Sequence, residues 1–175
     1  MDDSLRGSLL IAAPSLFDFF RRTVVLIIEH AEEGAFGVVL NRPSDTEVRE
    51  AVPALGRLTE GGELMRVGGP VSPETVVAIA EFEDPSESAK LILGDLGLVD
   101  PEVEEPDLRR LRVYAGHAGW GPGQLEDELE RDAWIVEPAS VEDPFREEDL
   151  WPELLNRKGG QYALLATMPD DPSLN

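Results

Sequence analysis

Apolar residues fall along the chain in short blocks cut by glycine, proline and acidic side chains, a rhythm that predicts strands joined by few helices. The run 8–13 reads as a strand stopped by Pro14. Residues 23–28 are rich in β-branched side chains and almost wholly apolar, the pattern of a strand buried on both faces. Between these runs, Leu16, Phe17, Phe19 and Phe20 form a bulky cluster expected to lid the core. After Glu32, Glu33 and Gly34, the run 35–40 predicts a third strand, so that 23–40 is a hairpin with Gly34 at its turn.

Asn41, Arg42 and Pro43 end that hairpin. Thr46 is expected to cap a helix that begins at Glu47 and presents Val48 and Val52 on one face, before Pro53 and Gly56 interrupt it. Residues 64–67 predict a brief strand running into Gly68, Gly69 and Pro70, and 75–80 another strand. Within the acidic stretch 81–107, taken as the candidate for a mobile insertion, residues 89–93 add an edge strand. A strand over 111–115 then delivers the chain into a glycine-rich loop, 116–123. A helix over 124–131 turns Leu125 and Leu129 inward. Residues 133–136 predict a strand, 147–156 a helix and 161–168 a final strand. There is no internal repeat and no low-complexity linker. The expectation is a single α+β domain over 1–175.

Composition narrows the chemistry. The chain has 175 residues, 42% of them hydrophobic, enough for one core without staples. Absence of cysteine removes disulfides, thiol nucleophiles and cysteine-based zinc sites together. The formal charge of −21 disfavours direct DNA or RNA binding, since a phosphate backbone is repelled. Most of this charge sits in 81–107 and 126–149, and the one basic cluster is Arg109, Arg110 and Arg112. No apolar run approaches the roughly 20 residues of a membrane helix, and the start Met1-Asp2-Asp3 lacks a basic leader, so a soluble, cytoplasmic protein with no membrane partner is expected.

Candidate functional residues cluster after the strands. The 116–123 loop has the spacing G-x-x-G-x-G-x-G, which matches neither the dinucleotide nor the P-loop pattern, so its glycines read first as backbone devices. Trp120, Gln124 and Glu126 remain pocket-lining candidates. Gly68, Gly69 and Pro70 can turn the chain abruptly. Arg42, beside Asn41, is a cation in an acidic chain and the expected counter-ion for any anionic ligand. His30 and His117 are the two imidazoles. Their spacing supports no metal site, no serine stands in G-x-S-x-G, and no cofactor is expected.

Three stretches taken in order carry a resemblance. They are Arg22-Thr23-Val24-Val25-Leu26-Ile27-Ile28-Glu29-His30 continuing to Gly34-Ala35-Phe36-Gly37-Val38-Val39-Leu40-Asn41-Arg42-Pro43, then Val67-Gly68-Gly69-Pro70-Val71, then Ala118-Gly119-Trp120-Gly121-Pro122-Gly123-Gln124-Leu125-Glu126. Together with the opening Gly7-Ser8-Leu9-Leu10-Ile11-Ala12-Ala13-Pro14 and the closing Asp171-Pro172-Ser173-Leu174-Asn175, they resemble the bacterial YqgE/AlgH family over nearly the whole chain. The resemblance implies an α+β fold in which a bifurcated mixed β-sheet curls into a pseudo-barrel with flanking helices. It implies no settled activity, although some members are called transcriptional regulators. His117 departs from the aromatic residue more usual in the family.

These residues lead to the expectation of a non-enzymatic binding or regulatory module, acting on transcription only indirectly. Its surface would comprise His30, Asn41, Arg42, Gly68, Gly69, Pro70, His117, Trp120, Gln124 and Glu126, and its partner would be a small ligand or another protein. The alternative is a small hydrolase or transferase with His30 as general base, and Asn41, Arg42 or glycine-loop amides steadying a developing anion.

Overall fold

The computed structural model describes residues 4–16, 18–59, 62–147 and 149–167. Phe17, Met168 and the closing motif 171–175 lie outside the described residues. The chain runs β1 (Ser8–Ala12), β2 (Val24–Ala31), β3 (Gly34–Val39), β4 (Pro43–Glu47), α1 (Val48–Ala51), α2 (Pro53–Gly56), β5 (Leu64–Val67) and β6 (Val71–Phe82). It continues with β7 (Ser88–Leu93), β8 (Leu96–Val99), β9 (Leu108–Trp120), α3 (Gln124–Glu130), β10 (Trp134–Pro138), α4 (Leu150–Lys158) and α5 (Gln161–Leu165).

The strands form one sheet in the order β10-β1-β2-β3-β9-β6-β8-β7, with β4 and β5 off this path. Neighbours are antiparallel except β5, which runs parallel to β9. The sheet curls into a half-barrel. Gly7, just before β1, donates to the Ile27 carbonyl at 2.9 Å and lies against the Ile92 carbonyl and the Leu93 side chain, so the β7 end comes round toward the start of the sheet.

Continuous apolar runs in β1 and β2 follow from burial on both faces. Leu9, Ile11, Val24, Leu26 and Ile28 face the concave core with Trp151, Leu154 and Leu155 of α4. Leu10, Ala12, Val25 and Ile27 face the opposite way, toward Trp120, Leu125 and Trp134. Each such side chain contributes about 1.5–3 kcal/mol of burial, so this three-layer arrangement is the main source of stability. Trp151 also donates its indole N–H to the Ala12 carbonyl at 2.8 Å, which fixes α4 against β1.

The long strand β9 is where the sheet forks. One edge pairs with β6. The other edge pairs first with β5, through Tyr114 and Ala115, and then with β3, through 118–120. Val39 donates to the Gly68 carbonyl at 2.8 Å and joins the two branches.

Three expectations change and one is extended. Residues 116–120 continue β9, so the loop shrinks to 121–123. Gly116 serves close strand contact, which a local reading takes for a turn. Thr46 belongs to β4, and the helix starts at Val48 without a side-chain cap, because 43–47 pairs with β5. Residues 161–165 form α5 instead of a strand: Gly159 and Gly160, both at positive φ, turn the chain after α4, and Tyr162 and Leu165 pack on the concave core at helical spacing. The 81–107 stretch holds two strands, β7 and β8, and β8 pairs with β6.

Candidate functional site

The fork explains its glycines. A Cβ on Gly68 would strike the Gly116 carbonyl, one on Gly69 would strike the backbone of His117, and one on Gly116 would strike the Gly69 carbonyl. Only glycine lets these two backbones approach so closely. Pro70 follows as an exposed bend before β6. The segment 68–70 is therefore a backbone junction that holds the β5–β6 turn against β9.

Asn41 and Arg42 secure the other side of the hairpin. Asn41 accepts from the Val24 N–H at 2.9 Å and donates to the Arg22 carbonyl at 2.9 Å, continuing the β2–β3 ladder with a side chain. Arg42 donates to the carbonyls of Phe19 and Arg21. Burial, and then the neighbouring Arg21 charge, push its guanidinium below the usual arginine range. Both side chains are spent on holding the 19–22 turn.

His30 is held from both ends. The Leu5 N–H donates to Nδ1 at 2.9 Å, which leaves the proton on Nε2 to be donated to Glu126 at 2.9 Å. The carboxyl of Glu126 is held below its ordinary range first by this bond. A carboxylate thus lies within reach of the ring, yet no lone pair on the imidazole is free to take a substrate proton. His117 packs against Phe36 at a tilt, with ring centroids 4.8 Å apart, and its Nδ1 is buried without a partner among the described residues.

The C-terminal end of β9 builds a cleft of ≈ 340 Å³ with the 16–20 turn, α3 and β10. Trp120 and Trp134 meet edge to face, their centroids 6.1 Å apart, and Phe20 packs against both. One carboxylate organises this wall. Glu128 Oε1 accepts the indole N–H of Trp120 at 2.9 Å and that of Trp134 at 2.8 Å, while Oε2 accepts from Gln124 at 3.1 Å. Gln124 in turn accepts from the Gly121 N–H at 3.0 Å, closing the short 121–123 turn. Asp18 and Arg131 stand on the rim.

Two further clefts lie beside the N-terminal half of β9. One, of ≈ 290 Å³, is lined by Pro43, Ser44, Glu63, Arg66, Arg112 and Glu147 among others. The second, of ≈ 250 Å³, shares Glu63 and Arg112 with it and adds Arg109 and Arg110. Of the ten expected surface residues, only Trp120 and Gln124 line any of the three clefts. Among the others, Gly69 lies on His117, His117 against Phe36 and His30 on Glu126 along the β3–β9 seam, while Asn41 and Arg42 hold the 19–22 turn.

Sequence reasoning missed Trp134, Glu128 and Arg66. Glu128 carries the one available signal, because it follows Gln124 by one helical turn on the face that closes over Trp120. Among the described residues, no group of three or more His, Asp or Glu side chains could hold a metal ion, and no helix is long and apolar enough to cross a membrane.

The fold is a single-domain half-barrel with a forked long strand and clefts beside either half of it. The chain belongs to the AlgH-like family, whose model matches residues 9–163. It is 45% identical to the UPF0301 protein SCO2948 of Streptomyces coelicolor, over 98% of this chain and 96% of that protein. A UPF0301 protein of Mycobacterium tuberculosis is 40% identical over 97% of this chain and 90% of that one. Among solved structures, protein DIP2367 of Corynebacterium diphtheriae is 32% identical with a TM-score of 0.84, covering 95% of this chain and 93% of that one. AlgH of Pseudomonas aeruginosa is 28% identical with a TM-score of 0.72, covering 97% and 96%.

Proposed function

We propose that this protein is a cytoplasmic, non-enzymatic binding module whose receptive face is the Trp120–Trp134 cleft. The observation that carries the reading is Glu128: one carboxylate fixes both indoles and Gln124, so an aromatic wall stands preorganised beside an open cleft. Aromatic faces and the surrounding acidic charge favour an occupant with an apolar body and a cationic end, either a small ligand or a basic side chain of a protein partner. Any effect on transcription then runs through that contact, since the −21 charge opposes a nucleic-acid backbone. The engaged nitrogens of His30 favour binding over the hydrolase or transferase alternative.

Indole emission tests the proposal. Titration with agmatine and with an arginine-rich peptide is expected to give a saturable shift that weakens in Phe20→Ala, a variant that keeps both cleft tryptophans. Trp151, packed in the concave core, supplies a constant background. Emission indifferent to both probes, or equal in the variant, overturns the proposal.

A further inference from the structure

Two arginines lie at the base of the fork. Arg66 on β5 is in register with Tyr114 on β9, and Arg112 precedes Tyr114 by two positions, so all three side chains share one face of the sheet. Arg112 is 8% exposed and Tyr114 fully buried, while the Arg66 side chain is 15% exposed. A buried guanidinium is costly unless its N–H groups find acceptors.

Here that demand is only partly met. Arg112 donates to Glu63 at 2.6 Å, to the Phe145 carbonyl at 3.3 Å and to Glu147. Arg66 has two long bonds, to the Leu40 carbonyl at 3.4 Å and to Glu147 at 3.5 Å. Nε of both arginines and the Tyr114 hydroxyl are buried without a hydrogen-bond partner among the described residues. The two guanidinium groups open onto the ≈ 290 Å³ cleft. The carboxylate that bridges them belongs to Glu147, whose side chain is 76% exposed. A solvent-borne carboxylate between two sunken arginines stands where an anionic ligand group would bind.

We propose that this cleft is a binding site for the oxyanion of a small metabolite, a carboxylate or a phosphate group, held between Arg66 and Arg112. Glu147 is its exchangeable occupant and swings outward to admit the ligand. The cleft volume is at the small end for ligand sites, which limits the occupant to metabolite size. Planar, forked guanidinium groups suit either oxyanion. The site is separate from the aromatic cleft, so either reading can fail alone.

The test is titration of the ¹⁵N-labelled protein with inorganic phosphate and with succinate at matched ionic strength, reading the Arg66 and Arg112 Nε–H resonances. Both should shift on saturation in the wild type. If Glu147 fills the site about nine-tenths of the time, Glu147→Ala tightens binding about tenfold. Arg66→Met, whose fold is checked by its melting curve, loses the response of Arg112. A response to phosphate alone assigns phosphorylated ligands, and one to succinate alone assigns carboxylates; either supports the site. Absence of any shift in both wild type and Glu147→Ala, equal affinity in the two, or undiminished binding in Arg66→Met overturns the proposal. The Glu147→Ala comparison remains decisive if Arg66→Met does not fold.

Discussion

The two halves of β9 carry clefts of opposite character. At the C-terminal half, every polar tip of the aromatic wall has an acceptor, because Glu128 serves two indoles and Gln124 at once. At the N-terminal half, Arg66 and Arg112 keep buried N–H groups idle. The first arrangement is finished without a ligand and offers shape. The second is unfinished and offers charge-assisted hydrogen bonds. Their difference shows that one strand can border two clefts of opposite polar chemistry.

A third buried charge calibrates the contrast. Asp143 is fully buried and accepts from Arg157 at 2.9 and 3.1 Å, from Arg146 at 3.1 Å and from the Ser140 N–H at 2.8 Å. Asp143→Ala, which strands these donors, is expected to cost about 3–5 kcal/mol in urea unfolding. Those partners hold the Asp143 carboxyl below its ordinary range even though burial alone would raise it. Its stabilisation is therefore complete above an unfolded-state carboxyl pKa of about 3.9 and fades as pH falls through the lower folded value. Acid unfolding curves should accordingly be shallower below about pH 4 in Asp143→Asn than in the wild type.

Glu128→Ala leaves two indole N–H groups unpaired and is expected to cost about 1–3 kcal/mol, with a change in tryptophan emission. Unchanged emission would break the claim that this carboxylate sets the aromatic wall. Arg66→Met should be the mildest, at most about 1 kcal/mol, because it removes only two long hydrogen bonds. A loss as large as that of Asp143→Ala would make Arg66 structural and erase the contrast.

The strands β1 to β3 were legible because their side chains are apolar on both faces, a signal that survives without knowledge of partners. The fork was legible only through family resemblance. Glycine reports a missing Cβ, and whether that space admits a turn or another backbone depends on residues about 50 positions away, as Gly69 and His117 show. Residues 161–165 were misjudged because so short a segment has no period long enough to separate helix from strand. Trp120 and Gln124 were found as loop residues. Their organiser, Glu128, looked like one more acid on a solvated helix, and Arg66 and Arg112 looked like ordinary strand cations, since burial of a charge is a tertiary fact.

The two clefts are tested most directly by one ¹H–¹⁵N spectrum followed through titrations with phosphate and then with succinate, with indole and arginine side-chain N–H signals observed together. The account predicts that Arg66 and Arg112 Nε–H signals move while those of Trp120 and Trp134 stay fixed. Indole signals moving with the arginines, or no signal moving at all, would contradict it.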